Sequence, residues 1–134
     1  MEIISNARKR LVTLLTLVGL HSYVVGLGLI LMPVTALPFF GLEVATEKFF
    51  PVQGGVFHIV MGTAYILSGV GIDRFRGLIL LTILAKCTAT AFLCIYYLFF
   101  DRAWVVLASA AGDGLMAAAI LVAFVAYEKN RPPA

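Results

Sequence analysis

Four apolar runs, each long enough to cross a bilayer and parted by short polar breaks, dominate this sequence. They lie at about 11–32, 52–71, 77–100 and 103–127. A helix needs about 20 apolar residues to span the roughly 30 Å of bilayer hydrocarbon. Helices of a soluble domain carry an apolar stripe and a wet face instead. Composition agrees: 62% of the 134 residues are hydrophobic and 13% charged, against about 45–50% and about 25% in soluble domains. The spans use most of the chain, so any chemistry or partner sits within the bilayer or at its surface.

The predicted fold class is therefore an all-α membrane protein, a single four-transmembrane-helix domain over residues 1–134. The breaks at 72–76 and 101–102 are short, and turns this short make neighbouring helices antiparallel. An up-down-up-down bundle follows. The first run has a signal peptide as its rival reading, with Val34-Thr35-Ala36 as a cleavage site. A signal core is usually 7–15 residues, and the longer run here predicts a retained anchor.

Orientation follows from the basic residues. With the N-terminus inside, the inner face holds Arg8, Lys9, Arg10, Arg74, Arg76, Lys129 and Arg131, and the outer face only Lys48 and Arg102. That bias places both termini in the cytoplasm. It also accounts for the net charge of +3 without a nucleic-acid partner. Tyr96, Tyr97, Phe99, Phe100 and Trp104 gather at the outer turn, as an interfacial aromatic belt does.

Between the first two spans, residues 33–51 form the longest external segment. Phe39, Phe40, Phe49 and Phe50 flank Glu43, Glu47 and Lys48. This composition suits an element lying in the outer interface, rings in lipid and charges in water. A plain connecting loop and a contact surface for a protein partner remain open alternatives.

Ionisable side chains inside the spans are the candidate functional residues, because they are costly in lipid and turn toward partners. They are His21, His58, Lys86 and Asp113. At 1.5 Å per residue, His21 lies near mid-span, His58 about 6 Å toward the outside, Lys86 about 4 Å toward the inside and Asp113 about 3 Å toward the outside. A snorkelling lysine stem covers most of the last offset, which predicts a Lys86–Asp113 ion pair. Thr82 and Thr90 share a helical stripe with Lys86, Ser109 precedes Asp113 by one turn, and Tyr65 shares a face with His58 and Gly62. Together they predict an inward polar cluster. Ala110, Gly114 and Ala118 recur every four residues, a spacing that lets backbones approach.

Other chemistries fit less well. Haem held by His21 and His58 needs two imidazoles at one depth on opposite sides of an iron, and theirs differ. Cys87 and Cys94 are about 10 Å apart along one helix, too far for a disulfide, and read as packing residues. No metal or other cofactor is expected, and no paired carboxylate or nucleophile–base set occurs.

The Met32-Pro33 exit from the first span, the Phe40-Gly41-Leu42 stretch and Lys86 in the third span resemble DoxX-like four-helix proteins of the bacterial inner membrane. The resemblance covers most of the chain in topology. It implies an inner-membrane location, and some members are tied to redox or sulfur metabolism; the separated cysteines give a thiol role no support here.

Three functions are expected in turn. The leading one is a non-catalytic bundle, either an accessory or assembly subunit of a larger membrane complex or a binder of a lipid-like molecule such as a quinone or isoprenoid. Its partners would be the bilayer and a protein or second copy. The alternative is a proton-coupled small transporter or leak pathway using the Lys/Asp/His set. An isomerase-like intramembrane enzyme is the third.

Overall fold

The computed structural model describes residues 2–43 and 46–131, with side chains from Asn6 onward. Four long helices carry the chain: α1 (Glu2–Leu31), α2 (Phe49–Val70), α3 (Arg76–Phe99) and α4 (Trp104–Lys129), with a 3-10 helix at Val34–Phe40. No strand occurs among the described residues. Each long helix contains a segment of at least 22 residues that is apolar enough to cross a membrane. At 1.5 Å per residue, even the shortest reaches about 33 Å.

Exposure runs opposite to that of a soluble protein. Leu31, Val24, Phe57, Leu84, Leu98, Leu115 and Val122 are all at least half exposed. Exposed apolar surface this extensive marks a face that meets lipid or another chain.

Helix boundaries differ from the sequence expectation. α1 starts near Glu2, so Arg8, Lys9 and Arg10 lie on its second and third turns instead of preceding it. Hydropathy marks only the apolar part of a helix, and alanine, arginine and lysine continue one readily. Phe49, Phe50 and Pro51 belong to the first turn of α2, where proline is tolerated because the first amides have no partner. The external segment thus ends before Phe49.

α1 packs chiefly on α2 and α3 on α4, with α1–α4 and α2–α3 contacts joining the two pairs. Contacts between α1 and α2 run in opposite order along the two helices. Gly26 faces Gly55, Gly19 faces Gly62, and Leu15 faces Gly69. A methyl group on Gly55 would lie 2.6 Å from the Gly26 carbonyl oxygen, so only glycine permits this approach.

The apolar core gathers at one end. Leu11, Leu15 and Val18 of α1 meet Tyr65 of α2, Ile72 of the following turn, Ile79 of α3, and Ile120, Phe124 and Tyr127 of α4. Polar contacts stitch the same end. Tyr127 donates its hydroxyl proton to Asp73, Arg8 lies 3.6 Å from Asp73, and Arg76 pairs with Glu128. The start of α1, the α2–α3 turn and the end of α4 therefore meet.

The opposite end is covered by the 3-10 helix. Phe40 stacks on Trp104 at 6.1 Å between ring centroids. The Trp104 indole N–H donates to the Phe39 carbonyl at 3.4 Å. The 3-10 helix closes at Gly41, whose φ of 79° is left-handed, a conformation that disfavours other residues.

Candidate functional site

Midway along the bundle, Lys86 and Asp113 form an ion pair, Nζ to Oδ1 2.5 Å. Each lies on the inner face of its helix. On α3 the buried residues are Ile79, Thr82 and Lys86; on α4 Asp113 lies between the buried Ala110 and Ala117. The lysine side chain is 4% exposed and the aspartate 13%. The ammonium also lies 5.8 Å from the Tyr65 ring centroid, within cation–π range. A charge-assisted bond of this kind satisfies two groups that neither lipid nor apolar side chains would solvate.

The threonines share the stripe but not the pair. Thr82 donates to the Leu78 carbonyl at 2.7 Å, and Thr90 to the Lys86 carbonyl at 2.8 Å. Both hydroxyls are spent on their own helix, a local option that threonine often takes. Ser109 is exposed and lies outside the seam.

The histidines separate. His58 is half-buried, with Nδ1 3.3 Å from the hydroxyl of the buried Ser22. His21 is exposed, contrary to the inward cluster expected for it. The physical reason is helical phase: α1 buries Leu11, Leu15, Val18, Ser22 and Gly26, and His21 lies about 100° from Ser22 around the axis. His21 and His58 are thus not turned to one centre as bis-histidine haem requires. Among the described residues, no three His, Cys, Asp or Glu side chains gather as a metal-binding group. Cys87 and Cys94 are exposed on α3, so neither packs in the core as expected.

Sequence reading missed the glycine seam. Gly19 and Gly26 on α1, and Gly55, Gly62 and Gly69 on α2, recur at intervals of seven. A seven-residue interval is two helical turns on nearly one face. That periodicity was the available signal. The Ala110-Gly114-Ala118 stripe is only partly used: Ala110 is buried and Gly114 approaches Thr90, whereas Ala118 is exposed.

A cavity of about 850 Å³ opens at the end away from the apolar core. Leu29, Met32, Leu37, Phe50, Tyr96 and Phe100 supply apolar and aromatic walls, and Glu43, Glu47, Lys48 and Asp101 the polar ones. Tyr96 stacks on Phe100 at 5.6 Å, which stiffens one wall. The expected interfacial residues divide here: Glu43, Glu47 and Phe50 line the cavity, Phe40 docks on Trp104, and Phe39, Phe49 and Phe50 all keep most of their surface exposed. A volume of this size falls within the range of small-molecule pockets, about 300–1,000 Å³.

Set against protein-family models, curated proteins and solved structures, the chain matches none of them.

Proposed function

We propose that this chain is a non-catalytic four-span protein that binds a lipid-like molecule, such as a quinone or isoprenoid, at the outer end of its bundle. It acts alone or as an accessory subunit of a larger membrane complex. In this reading the helices run up-down-up-down through a bacterial inner membrane with both termini in the cytoplasm. Arg8, Arg74 and Arg76 lie at the end where the apolar core sits, and the positive-inside bias assigns that end to the cytoplasm. The resemblance to DoxX-like bundles supplies the choice of membrane.

The observation that carries the proposal is the asymmetry of the interior. Apolar side chains fill the end that bears Arg8 and Arg76, the Lys86–Asp113 pair closes the middle, and a cavity with aromatic walls and polar groups occupies the other end. An apolar tail running down the lipid-facing surface and a polar head among Glu43, Lys48 and Tyr96 would match that lining.

Native mass spectrometry of the full chain in mild detergent tests it. The expected result is a retained quinone or isoprenoid mass that is lost in Phe100→Ala and kept in Leu84→Ala, a lipid-facing control. A chain that retains no such mass when ubiquinone or an isoprenyl alcohol is supplied contradicts the proposal.

A second reading, a proton-coupled carrier or leak pathway, is favoured by the buried charge itself, since intramembrane ionisable residues often serve proton movement. It expects Asp113→Asn to abolish pH-driven flux in liposomes. Non-catalytic binding expects no flux in either protein.

A further inference from the structure

A groove of about 1090 Å³ runs along the seam between the first half of α1 and the second half of α4. It is separate from the outer cavity and lies at the opposite end. One end carries Asn6, Lys9, Arg10 and Asn130, and no acidic side chain among the described residues lines the groove. Below that end the lining turns apolar, with Leu14, Leu115, Ala118, Val122 and Ala126 among it. From residue 115 to 130 the groove follows α4 for about 22 Å, longer than the roughly 15 Å of hydrocarbon in one leaflet.

Arg8, by contrast, is committed to Asp73. Lys9 and Arg10 are exposed and enter no ion pair among the described residues. Two adjacent cations thus stand over an apolar trough with no carboxylate paired to them among the described side chains. Alanines floor the trough: Ala118, Ala119, Ala123 and Ala126 leave the room that larger side chains would fill.

We propose that this groove binds one anionic glycerophospholipid from the cytoplasmic leaflet. Its phosphodiester would lie between Lys9 and Arg10, with Asn6 and Asn130 as amide donors, and an acyl chain would lie along the alanine floor. Charge complementarity selects this occupant. A zwitterionic lipid brings its own cation to the same spot, and a second copy of the chain would bring its own basic residues there. Basic pockets between transmembrane helices at the cytoplasmic side take anionic headgroups in this way. The inference rests on the transmembrane orientation proposed above and is independent of the outer cavity.

The test is native mass spectrometry of the full chain exchanged into micelles holding equal phosphatidylglycerol and phosphatidylcholine. One retained phosphatidylglycerol per chain is expected, in preference to phosphatidylcholine. A basic side chain near the surface contributes about 5-fold, so Lys9→Gln with Arg10→Gln should lower the preference roughly 30-fold. Ala119→Phe, which fills the floor, should abolish retention while helical content by circular dichroism stays unchanged. Equal retention of both lipids, or a preference unmoved by the double variant, overturns the proposal. So does a dimer that Ala119→Phe converts to monomer, because the groove would then be an interface between copies. Failure of the orientation is separately visible, since Lys9 would then label from outside intact cells. Failure of the outer site is visible as loss of quinone or isoprenoid alone.

Discussion

The Lys86 ammonium and the Asp113 carboxylate meet at 2.5 Å between α3 and α4, with both side chains largely shielded. Each neutralises a charge that its surroundings would otherwise reject. Removing one partner leaves the other uncompensated, a loss of about 3–5 kcal/mol for a buried pair. Asp113→Ala and Lys86→Met are each expected to lose stability on that scale. Together, Lys86→Met with Asp113→Leu should recover most of it, because apolar replacements of a buried pair are often neutral. Unfolding titrations of the three proteins in mixed micelles measure the difference. A double variant no better than the singles would mean that the pair does more than hold register.

The α1–α2 glycines answer to contact distance. A methyl group on Gly26 would sit 2.7 Å from the Gly55 carbonyl oxygen, whereas one on Gly28 meets nothing within 4 Å. Gly26→Ala should cost about 1–3 kcal/mol through overpacking. Gly28→Ala should be neutral or slightly stabilising, since alanine is the better helix former. Melting temperatures in detergent compare the two.

Acid should loosen the end of the bundle that holds the apolar core. The Tyr127 hydroxyl above all, with the Arg8 and Arg131 charges adding and burial opposing, holds the Asp73 carboxyl below its ordinary range. A carboxylate whose folded value is depressed contributes stability above its unfolded value of about 3.9. That contribution fades as pH falls past this point and is gone below the folded value. Asp73 is largely exposed, so the effect should stay within about 1 kcal/mol. Asp73→Asn should flatten stability against pH between about 5 and 2, measured by chemical unfolding; an unchanged slope contradicts the linkage.

Trp104 is the single tryptophan and reports on the docked 3-10 helix. Gly41→Ala places a side chain in a left-handed backbone, and its methyl group 3.2 Å from the Trp104 ring. Release of the segment should shift Trp104 emission and speed proteolysis around 42–48, while the long helices persist by circular dichroism.

The four helices were legible because a run of apolar residues longer than a soluble helix needs has one main explanation. The Lys86–Asp113 pair was legible from depth and antiparallel order. Phase was harder. Helices that are apolar all round show no polar face to mark the outside, and this hid the outward placement of His21, Cys87 and Cys94. In such helices the inner face is written in residue size, as the Gly19, Gly26, Gly55, Gly62 and Gly69 spacing shows. The groove floored by Ala118, Ala119, Ala123 and Ala126 draws lining from α1 and α4, which are far apart in sequence, so no single stretch announced it.

Cysteine accessibility in intact cells tests the membrane crossing and its closed centre most directly. In a Cys87→Ser, Cys94→Ser background, single cysteines are placed by Glu47→Cys, Arg102→Cys, Arg74→Cys, Arg131→Cys and Ala117→Cys. An impermeant maleimide should reach the first two from outside, the next two only after lysis, and the buried fifth in neither state. Labelling of positions 74 and 131 from opposite sides, or free labelling of position 117, would contradict a four-span bundle closed around Lys86 and Asp113.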